Sequence, residues 1–350
     1  MKTYSLQSLA RFFAIVGLFA CTTAVFAQDD DDTSPAQKQY YKQRELSAKP
    51  AVKEKLNKLR AEIKAQNRTY EVGATEAIGR PISQLATLKT PDAQKSEKIK
   101  AALKLKNQKP KVNALSKVNA QCFADQKTYL PNKIGLMTPI RDQGACGSCW
   151  DFAAVAAYEL NNMFAGNVPF TSPLDLSEQN VLDCAFTDYG DAGDCNGGWP
   201  GDVFDWMIAK NGSMTSETDD VYTAVQGTCK AMSGNYLAHD WDYVSPTGDW
   251  AAIPSVQQIK DAICAHGAVV CAVNATDAFL AYTSGIFDET KSKGDGNINH
   301  AIVIVGWNDN QKVWIIKNSW GTGWGNQGFM KIKYDSNNVG SSAMWVESRQ

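Results

Sequence analysis

The feature that most constrains this chain is an abrupt change of composition near residue 118. All ten tryptophans and eight of the nine cysteines lie after this point. Residues 33–118 carry 20 Lys and Arg against 7 Asp and Glu, a net charge of +13, whereas residues 119–350 carry 13 against 26, a net charge of −13. The first segment is too poor in large apolar residues to bury a core alone. We therefore predict a thin basic segment followed by a globular domain over 119–350.

The N-terminus is typical of a secretory signal. Lys2 and Arg11 precede a short apolar run, 12–26, and small residues follow it, so we predict a signal peptide over 1–27. A membrane anchor is the alternative, but the run is shorter than the roughly 20 residues that a spanning helix needs. The stretch Leu18–Cys21 also resembles a lipoprotein box loosely. We expect a product that is secreted, periplasmic or held in a lysosome-like compartment, where disulfides persist.

The basic segment, 28–118, contains two stretches with helical spacing of apolar residues. These are 36–68 and 91–106, and the glycines and proline of 69–89 separate them, which predicts a helical hairpin with an extended middle. Its charge allows a solvated helical face or an external polyanion, but opposite net charges also favour docking onto its own acidic domain. The segment lacks the interleaved aromatic residues that stack on bases, so we expect no nucleic-acid partner.

Two cysteines, Cys146 and Cys149, lie three residues apart in the stretch QGACGSCWDFA. The spacing alone allows a redox pair, half of a metal site, or one disulfide cysteine beside one nucleophile. A thioredoxin-like pair would leave most of this chain unexplained, and no second cysteine pair has the usual zinc-ligand spacing. We therefore expect no metal and no cofactor.

Candidate partners lie far downstream. His300 begins an apolar strand and Asn318 precedes a glycine-rich turn, 151 and 169 residues after Cys149. Cysteine, histidine and asparagine together can carry out nucleophilic acyl transfer. The stretch CGSCW fits a known signature for the nucleophile of such enzymes. The other two histidines, His239 and His266, lie in turn-like contexts without comparable flanks.

Six stretches in a fixed order make the chain similar to one family. They are DQGACGSCW, LSEQNVLDC, CNGGWP, SGIF, NHAIVIVGW and KNSWGTGWGNQGFMKI, and they span about 140–335. The chain resembles the papain-like (cathepsin/papain type) cysteine peptidases. The family's usual Asp-Trp-Arg near the mature N-terminus is missing here. The resemblance implies an α+β fold of two lobes, a helical left lobe and a β-barrel-like right lobe, preceded by a helical-hairpin propeptide.

The resemblance also implies a role for each catalytic residue. Cys149 is the nucleophile, and the N-terminus of its helix favours the reactive thiolate. His300 accepts the thiol proton and later donates it to the leaving amine, while Asn318 fixes the orientation of the ring. The Gln143 amide and the Cys149 N–H form the oxyanion hole, and Trp320 covers the Asn318–His300 bond from water.

The resemblance further implies a substrate-binding set. It comprises Gly197, Gly198, Trp199, Pro200, Ala272, Asn299, Ala301 and Trp320. Its apolar members favour Leu, Val or Phe at P2, the second residue before the scissile bond. The loop between Cys184 and Cys195 is too short to block the cleft, which favours an endopeptidase. A catalytically dead homologue that binds proteins, and a related acyl transferase or amidase, are the rival hypotheses.

The cysteines and one acidic residue carry further expectations. The resemblance implies disulfides Cys146–Cys195 and Cys184–Cys229, which leaves Cys122, Cys264 and Cys271, of which the last two form a possible pair. Asp151 stands where the family usually has a small residue. Its charge suits the helix N-terminus but opposes ionisation of a nearby thiol. We predict retained activity with a shifted acid limb of the pH profile.

The propeptide is expected to act as an intramolecular inhibitor. By resemblance it covers the cleft in a non-productive direction and is cut off at acid pH. We hypothesise that the stretch EVGATEAIGRPISQL, 71–85, runs through the cleft and that acid weakens its hold as carboxylates protonate. Protein or peptide substrates are the other expected partners, and we expect the chain to act as a monomer.

Overall fold

The structure is a computed structural model that describes residues 33–107, 122–187, 190–209, 212–230 and 234–349. The predicted signal peptide, 1–27, lies outside the described residues, as do the two ends of the predicted propeptide, 28–32 and 108–118. Within the described ranges, we find no helix whose length and apolar character would let it cross a membrane.

The elements follow one another in this order along the chain. The helices are α1 Pro35–Ser47, α2 Pro50–Ala65, α3 Ile82–Leu85, α4 Ala93–Asn107, α5 Cys149–Phe164, α6 Glu178–Cys184, α7 Pro200–Ala209, α8 Val256–His266 and α9 Asp277–Ala281, with a 3₁₀ turn at Pro131–Ile134. The strands are β1 Glu71–Val72, β2 Thr128–Tyr129, β3 Phe186–Thr187, β4 Gly190–Asp191, β5 Gly193–Asp194, β6 Gly197–Gly198, β7 Ala238–Tyr243, β8 Val269–Val273, β9 Tyr282–Ser284, β10 Ile286–Phe287, β11 His300–Asn308, β12 Val313–Lys317, β13 Phe329–Lys333 and β14 Ser341–Ser348.

The first predicted helix is two helices. The expectation of one helical stretch over 36–68 was wrong, because α1 ends at Ser47 and α2 begins at Pro50. Proline lacks the N–H that a helix interior needs and disfavours helical backbone in the residue before it, yet it fits the first helical position. The two helices are then joined by Arg60, whose guanidinium donates two hydrogen bonds of 2.6 Å to the Glu45 carboxylate.

The segment after these helices docks on the C-terminal domain as an added strand. β1 pairs antiparallel with β9, and the Gly73 N–H continues the contact by donating to the Ala281 carbonyl at 2.9 Å. Thr75 Oγ1 donates to the Leu280 carbonyl at 2.6 Å. The predicted thin segment therefore completes its core on the domain, where its Leu56 and Leu85 are fully buried.

The right lobe is built on one large sheet. Its strands follow the order β10-β13-β12-β11-β8-β14-β7, and β2 also pairs with β11. The two ends of this order are not paired with each other among the described residues, so the expected barrel-like lobe is an open sheet. β11 and β8 are antiparallel, with His300 opposite Val273 and Ala301 opposite Ala272. This register places the first residues of β11 at the edge of the cleft between the lobes.

The helical left lobe centres on α5. Fifteen of its residues, from Cys149 to Met163, are buried. A helix buried on all sides needs partners for its polar groups. The Asn161 side chain has them, because it donates to the His266 carbonyl at 3.0 Å and accepts from the Ser348 N–H at 2.7 Å. Helix α5 is thereby tied to the right lobe.

Three disulfides cross-link the domain. Cys146 is bonded to Cys195, and Cys184 to Cys229. The third bridge joins Cys122 to Cys264, so the considered pair of Cys264 with Cys271 does not form. Cys271 is a free, buried thiol on β8, where its neighbours hold it away from solvent.

Candidate active site

Cys149 is the first residue of α5, with Ser148 at the N-cap position. The Trp150 backbone N–H hydrogen-bonds towards the sulfur and lowers the pKa of the thiol, which is the local effect of a helix N-terminus. Burial outweighs it and raises the pKa of Cys149. In the structure, where Cys149 is fully buried, the protonated thiol is therefore favoured over the thiolate.

His300 and Asn318 are brought together by adjacent strands. His300 begins β11 and Asn318 follows β12, which pairs with it. His300 Nε2 lies 2.8 Å from Asn318 Oδ1, so the ring nitrogen donates to the amide oxygen and the other nitrogen, Nδ1, is left to face the cleft. Trp320 stacks on the His300 ring, with centroids 4.5 Å apart and planes 26° apart. Both rings are fully buried, so water has no access to the hydrogen bond.

The Gln143 amide has a fixed orientation. Its Oε1 accepts hydrogen bonds from Ser319 Oγ at 2.8 Å and from Trp320 Nε1 at 3.1 Å. Since the oxygen is held there, Nε2 is the atom that faces the cleft, where it donates to the Leu85 carbonyl at 3.2 Å and to the Cys146 carbonyl at 2.9 Å. An amide donor directed at a carbonyl oxygen has the chemistry of an oxyanion hole.

The propeptide occupies the space that these groups share. Beyond Leu85, Thr87 Oγ1 donates to the Gly147 carbonyl at 2.6 Å, and the Thr87 hydroxyl and backbone both act on the Cys149 thiol to lower its pKa. The Leu88 N–H donates to the Asn299 carbonyl at 2.8 Å, and the Lys89 N–H donates to the Gly198 carbonyl at 3.0 Å. Residues 85–89 therefore bridge the two lobes directly over the Cys149 sulfur.

Coverage by the propeptide affects the charge state of the site. Burial lowers the pKa of His300 to about 4, against the raising effects of Asn318 and the Leu85 backbone. The pKa of Cys149 is raised by the same cause. A neutral thiol beside a neutral imidazole is therefore the favoured pair while the propeptide is bound, and the thiolate–imidazolium pair is not.

The predicted substrate-binding residues fall on both sides of the cleft. Ala272 and Ala301 are opposite each other on neighbouring strands, and Trp199 and Pro200 lie on the left lobe where α7 begins. The Asn299 side chain exchanges two hydrogen bonds with the Ala275 backbone, at 2.7 and 2.9 Å, so its carbonyl is the group that faces the propeptide.

The paired glycines allow close approach of a peptide. Gly198 accepts a backbone hydrogen bond from the propeptide. Gly197 has a φ of +118°, and a Cβ built there would lie 1.9 Å from the Thr87 carbonyl oxygen. A side chain at 197 would thus exclude the propeptide backbone from its observed path.

Asp151 does not face the nucleophile as a charge. It is fully buried, and neither carboxylate oxygen has a hydrogen-bond partner in the described part of the chain. Burial raises its pKa well above the ordinary range, and the neighbouring Glu178, Asp183 and Glu217 raise it further. The raised pKa favours the neutral carboxyl in acid, a form that does not oppose the Cys149 thiolate by charge, and the predicted shift of the acid limb stays a prediction.

Sequence reasoning missed Ser319 and Thr87. Ser319 follows Asn318 directly, and its adjacency to the asparagine was the available signal. Thr87 gave no signal, because only the tertiary path of the propeptide brings it to the Cys149 thiol. Within the described ranges, no cluster of three or more His, Cys, Asp or Glu residues suited to hold a metal ion is found.

Comparison with known proteins adds the following findings. A family model described as papain family cysteine protease matches residues 125–347. The chain is similar to cathepsin L2 from Homo sapiens, with 36% identity over 214 residues, which are 59% of this chain and 60% of the relative. The similarity thus spans about three fifths of the length of that curated relative.

Two solved structures resemble the chain to different extents. Digestive procathepsin L2 from Tenebrio molitor larval midgut has a TM-score of 0.67 and 21% identity, with coverage of 90% of this chain and 94% of that one. The Carica candamarcensis cysteine protease CMS1MS2, solved in complex with E-64, has a TM-score of 0.53 and 30% identity, with coverage of 64% of this chain and 100% of that one. The first likeness shows that the fold extends through the N-terminal segment, and together they confirm the predicted two-lobe architecture.

Proposed function

Because the chain belongs to the papain family of cysteine proteases, we propose that it is a cysteine endopeptidase made as a precursor and held inactive by its propeptide. The proposed division is a signal peptide over 1–27, an inhibitory propeptide over 28–118 and a peptidase domain over 119–350. Its compartment is secreted, periplasmic or lysosome-like, and it works as a monomer on protein or peptide substrates without a cofactor.

Acylation begins once the propeptide has left. Exposure to water lowers the cost of charging both groups, so the proton of Cys149 moves to His300 Nδ1. The thiolate attacks the carbonyl carbon of the scissile peptide bond, and the carbonyl oxygen becomes an oxyanion. Gln143 Nε2 and the Cys149 N–H donate hydrogen bonds to it. His300 then gives its proton to the leaving amine, the C–N bond breaks, and a thioester to Cys149 remains.

Deacylation reverses the proton movements. Neutral His300 accepts a proton from a water molecule, whose oxygen attacks the thioester carbon. The C–S bond breaks, the carboxylic acid product leaves, and the thiol is regenerated. Asn318 keeps the ring oriented in both half-reactions through its 2.8 Å contact with Nε2, and the Trp320 ring excludes water from that contact.

The observation that carries the proposal is the arrangement around residues 85–87. A backbone carbonyl of the propeptide accepts from Gln143 Nε2, while Thr87, two residues further along the same segment, lies against the Cys149 sulfur. A donor for a carbonyl oxygen and a nucleophile for its carbon are therefore directed at one bound peptide. The same peptide also supports the inhibitory role of the propeptide, because it fills the substrate's place.

The shape of the cleft supports an endopeptidase with an apolar preference at P2. Ala272 and Ala301 leave room on the right-lobe wall, and Leu88 of the propeptide packs against the same buried cluster as Trp199. Between Cys184 and Cys195, the described residues form short two-residue strands, and the loop of 10 residues is too short to be expected to block the cleft.

The test is acid processing of the purified full-length precursor. Incubation at about pH 5 should yield a shorter chain, and N-terminal sequencing gives the cleavage site. The product should cleave internally quenched peptides between interior residues, with Leu, Val or Phe favoured at P2. The matched Cys149→Ser precursor should remain intact and inactive. Processing without any peptidase activity would refute the proposal, and equal activity of the Cys149→Ser chain would do so as well.

A further inference from the structure

A buried carboxylate beside the cleft is bound by a lysine of the propeptide. Asp202 lies in the first turn of α7, and its side chain is 3% exposed. Its Oδ2 accepts from the ammonium of Lys95, on α4. Burial raises the pKa of Asp202 to about 6, with Asp205 also raising it and Lys95 lowering it. The catalytic groups described above make no use of this ion pair.

One buried polar atom of this ion pair lacks a partner. Asp202 Oδ1 has no hydrogen-bond partner among the described residues, whereas the Trp199 indole N–H interacts with the Tyr243 hydroxyl. Trp199 and Tyr243 are only 1% and 5% exposed. The Asp202 backbone N–H donates to the Trp199 carbonyl at 3.1 Å, and the Asp202 charge helps to raise the pKa of Tyr243, so the three residues are neighbours. Buried polar groups without partners are costly and are expected where a ligand binds.

This pocket borders the substrate path. Trp199 and Pro200 are the left-lobe residues predicted to line the P2 pocket, and Gly198 immediately before them holds the propeptide backbone through the Lys89 N–H. Gly201 follows, and a Cβ there would lie 2.9 Å from the Trp241 ring. With no side chain at 201, the backbone passes close to the Trp241 and Trp199 rings just before Asp202.

An aromatic wall flanks the same pocket. Trp250 is packed edge-to-face on Trp199, with centroids 6.3 Å apart and planes 81° apart. Its Nε1 donates to Ser96 Oγ of the propeptide at 3.2 Å, so departure of α4 frees this indole at the cleft. An indole beside a carboxylate suits a basic side chain, since the ring packs on the aliphatic stem and attracts the cation.

We propose that, in the mature enzyme, Asp202 forms with Trp199, Tyr243 and Trp250 a subsite for a lysine or arginine side chain of the substrate, and that Lys95 fills this subsite in the precursor. The subsite lies on the side of the cleft that binds residues N-terminal to the scissile bond. Removal of the propeptide would leave a buried carboxylate without its cation, and a basic substrate restores the pair. The proposal rests on the proposed peptidase function and adds a basic preference to the expected apolar one.

The test compares matched peptides on the processed enzyme. Fluorogenic peptides that differ only by lysine or norleucine at P2, P3 or P4 are assayed for kcat/KM, with active enzyme counted by an epoxysuccinyl peptide. We expect the wild type to favour lysine at one of these positions by about tenfold or more, as for a hydrogen bond to a charged group. Asp202→Asn should reduce that ratio to near one.

A matched control lies one helical turn further along. Asp205→Asn removes a carboxylate that instead accepts from Trp241 Nε1 at 2.8 Å, and it should keep the wild-type ratio. If Asp202→Asn fails to fold, Trp250→Ala should still lower the lysine preference several-fold. An active enzyme with the same ratio in all variants would overturn the subsite. Absence of both labelling and cleavage would instead be a failure of the proposed function.

Discussion

At the scale of single residues, the Gln143 amide is the group of the site whose orientation is most clearly fixed. Two donors, Ser319 Oγ and Trp320 Nε1, hold its oxygen, and this leaves the nitrogen for the cleft. Gln143→Ala should lower kcat by about 10²–10³-fold with a smaller change in KM, because the lost donor acts mainly on the oxyanion of the transition state.

Steady-state kinetics on titrated enzyme check this prediction. Ser319→Ala keeps the amide but removes one of its two anchors, so its effect on kcat should be smaller than that of Gln143→Ala. A rise in KM with unchanged kcat for Gln143→Ala would mean that the amide binds only the ground state.

Asp151 offers a second prediction, on stability. In the folded protein, the pKa of this carboxyl is raised well above the ordinary value of 3.8. The carboxyl therefore loses its proton at a lower pH in the unfolded state than in the folded state. Asp151 therefore does not reduce the free energy of unfolding below about pH 4. That free energy falls as the pH rises from there towards the pKa of the folded state. Asp151→Asn should raise the Tm above that of the parent chain at pH 7, and the two chains should have nearly the same Tm at pH 3.5.

Both chains should carry Cys149→Ser, so that autolysis does not obscure the thermal melts. The sequence-based prediction for Asp151 concerned the pH profile of activity, and it remains to be measured. Equal Tm differences at both pH values would show that the carboxyl is already ionised or solvated, which would remove the basis of this prediction.

The sequence identified Cys149, His300, Asn318 and Gln143 as candidates because each lies in a local motif that resembles a known one. Lys95 and Asp202 were not paired in advance. They are 107 residues apart, and only the path of the propeptide over α7 brings them together. Contacts of this kind depend on tertiary structure, and no local pattern encodes them.

At the scale of elements, the error over 36–68 has a simple cause. Apolar spacing continued across Pro50, but the proline forces a break that periodicity alone does not record. The sheet was easier to predict, because β8, β11 and β12 are short apolar runs bounded by turn residues. The order of the strands within the sheet was not predicted and is known only from the structure.

The disulfide Cys122–Cys264 belongs to this scale, since it ties the start of the domain to α8 across a separation of 142 residues. Spacing does not determine cysteine connectivity, so the sequence left these residues open. The double variant Cys122→Ser/Cys264→Ser should lose about 2–5 kcal/mol of unfolding free energy, as is usual for a native disulfide.

Denaturant unfolding of the Cys149→Ser precursor, with and without the double substitution, measures this loss. Cys271→Ser is a suitable control, because it alters a buried thiol on the neighbouring β8 without breaking a bridge. An unchanged midpoint for the double variant would indicate that the bridge adds no constraint beyond the packing around it.

At the scale of the whole molecule, the charge split along the sequence corresponds to ion pairs between propeptide and peptidase. They are Lys55–Asp277, Arg68–Asp288, Arg80–Asp142, Lys89–Asp194 and Lys95–Asp202. Most are partly exposed, so each contributes little alone. Together they support the expectation that the basic segment lies on its own acidic domain.

Salt should therefore weaken the hold of the propeptide. At pH 6 and enzyme concentrations low enough for first-order processing, raising the ionic strength from 0.05 to about 0.5 M should speed maturation. The variant Arg68→Ala/Arg80→Ala should mature faster at low salt and respond less to added salt. If the maturation rate does not vary with salt in either chain, apolar burial and not charge would be the main contribution to the binding of the propeptide.

The central claim is that Cys149 is the nucleophile and that the propeptide covers it. Mass spectrometry of the chain after treatment with an epoxysuccinyl peptide tests both parts at once. We predict one equivalent of label on Cys149 after acid processing, and almost none on the intact precursor at neutral pH over the same time. Label on the buried Cys271 instead, or equal labelling of precursor and processed enzyme, would contradict the account.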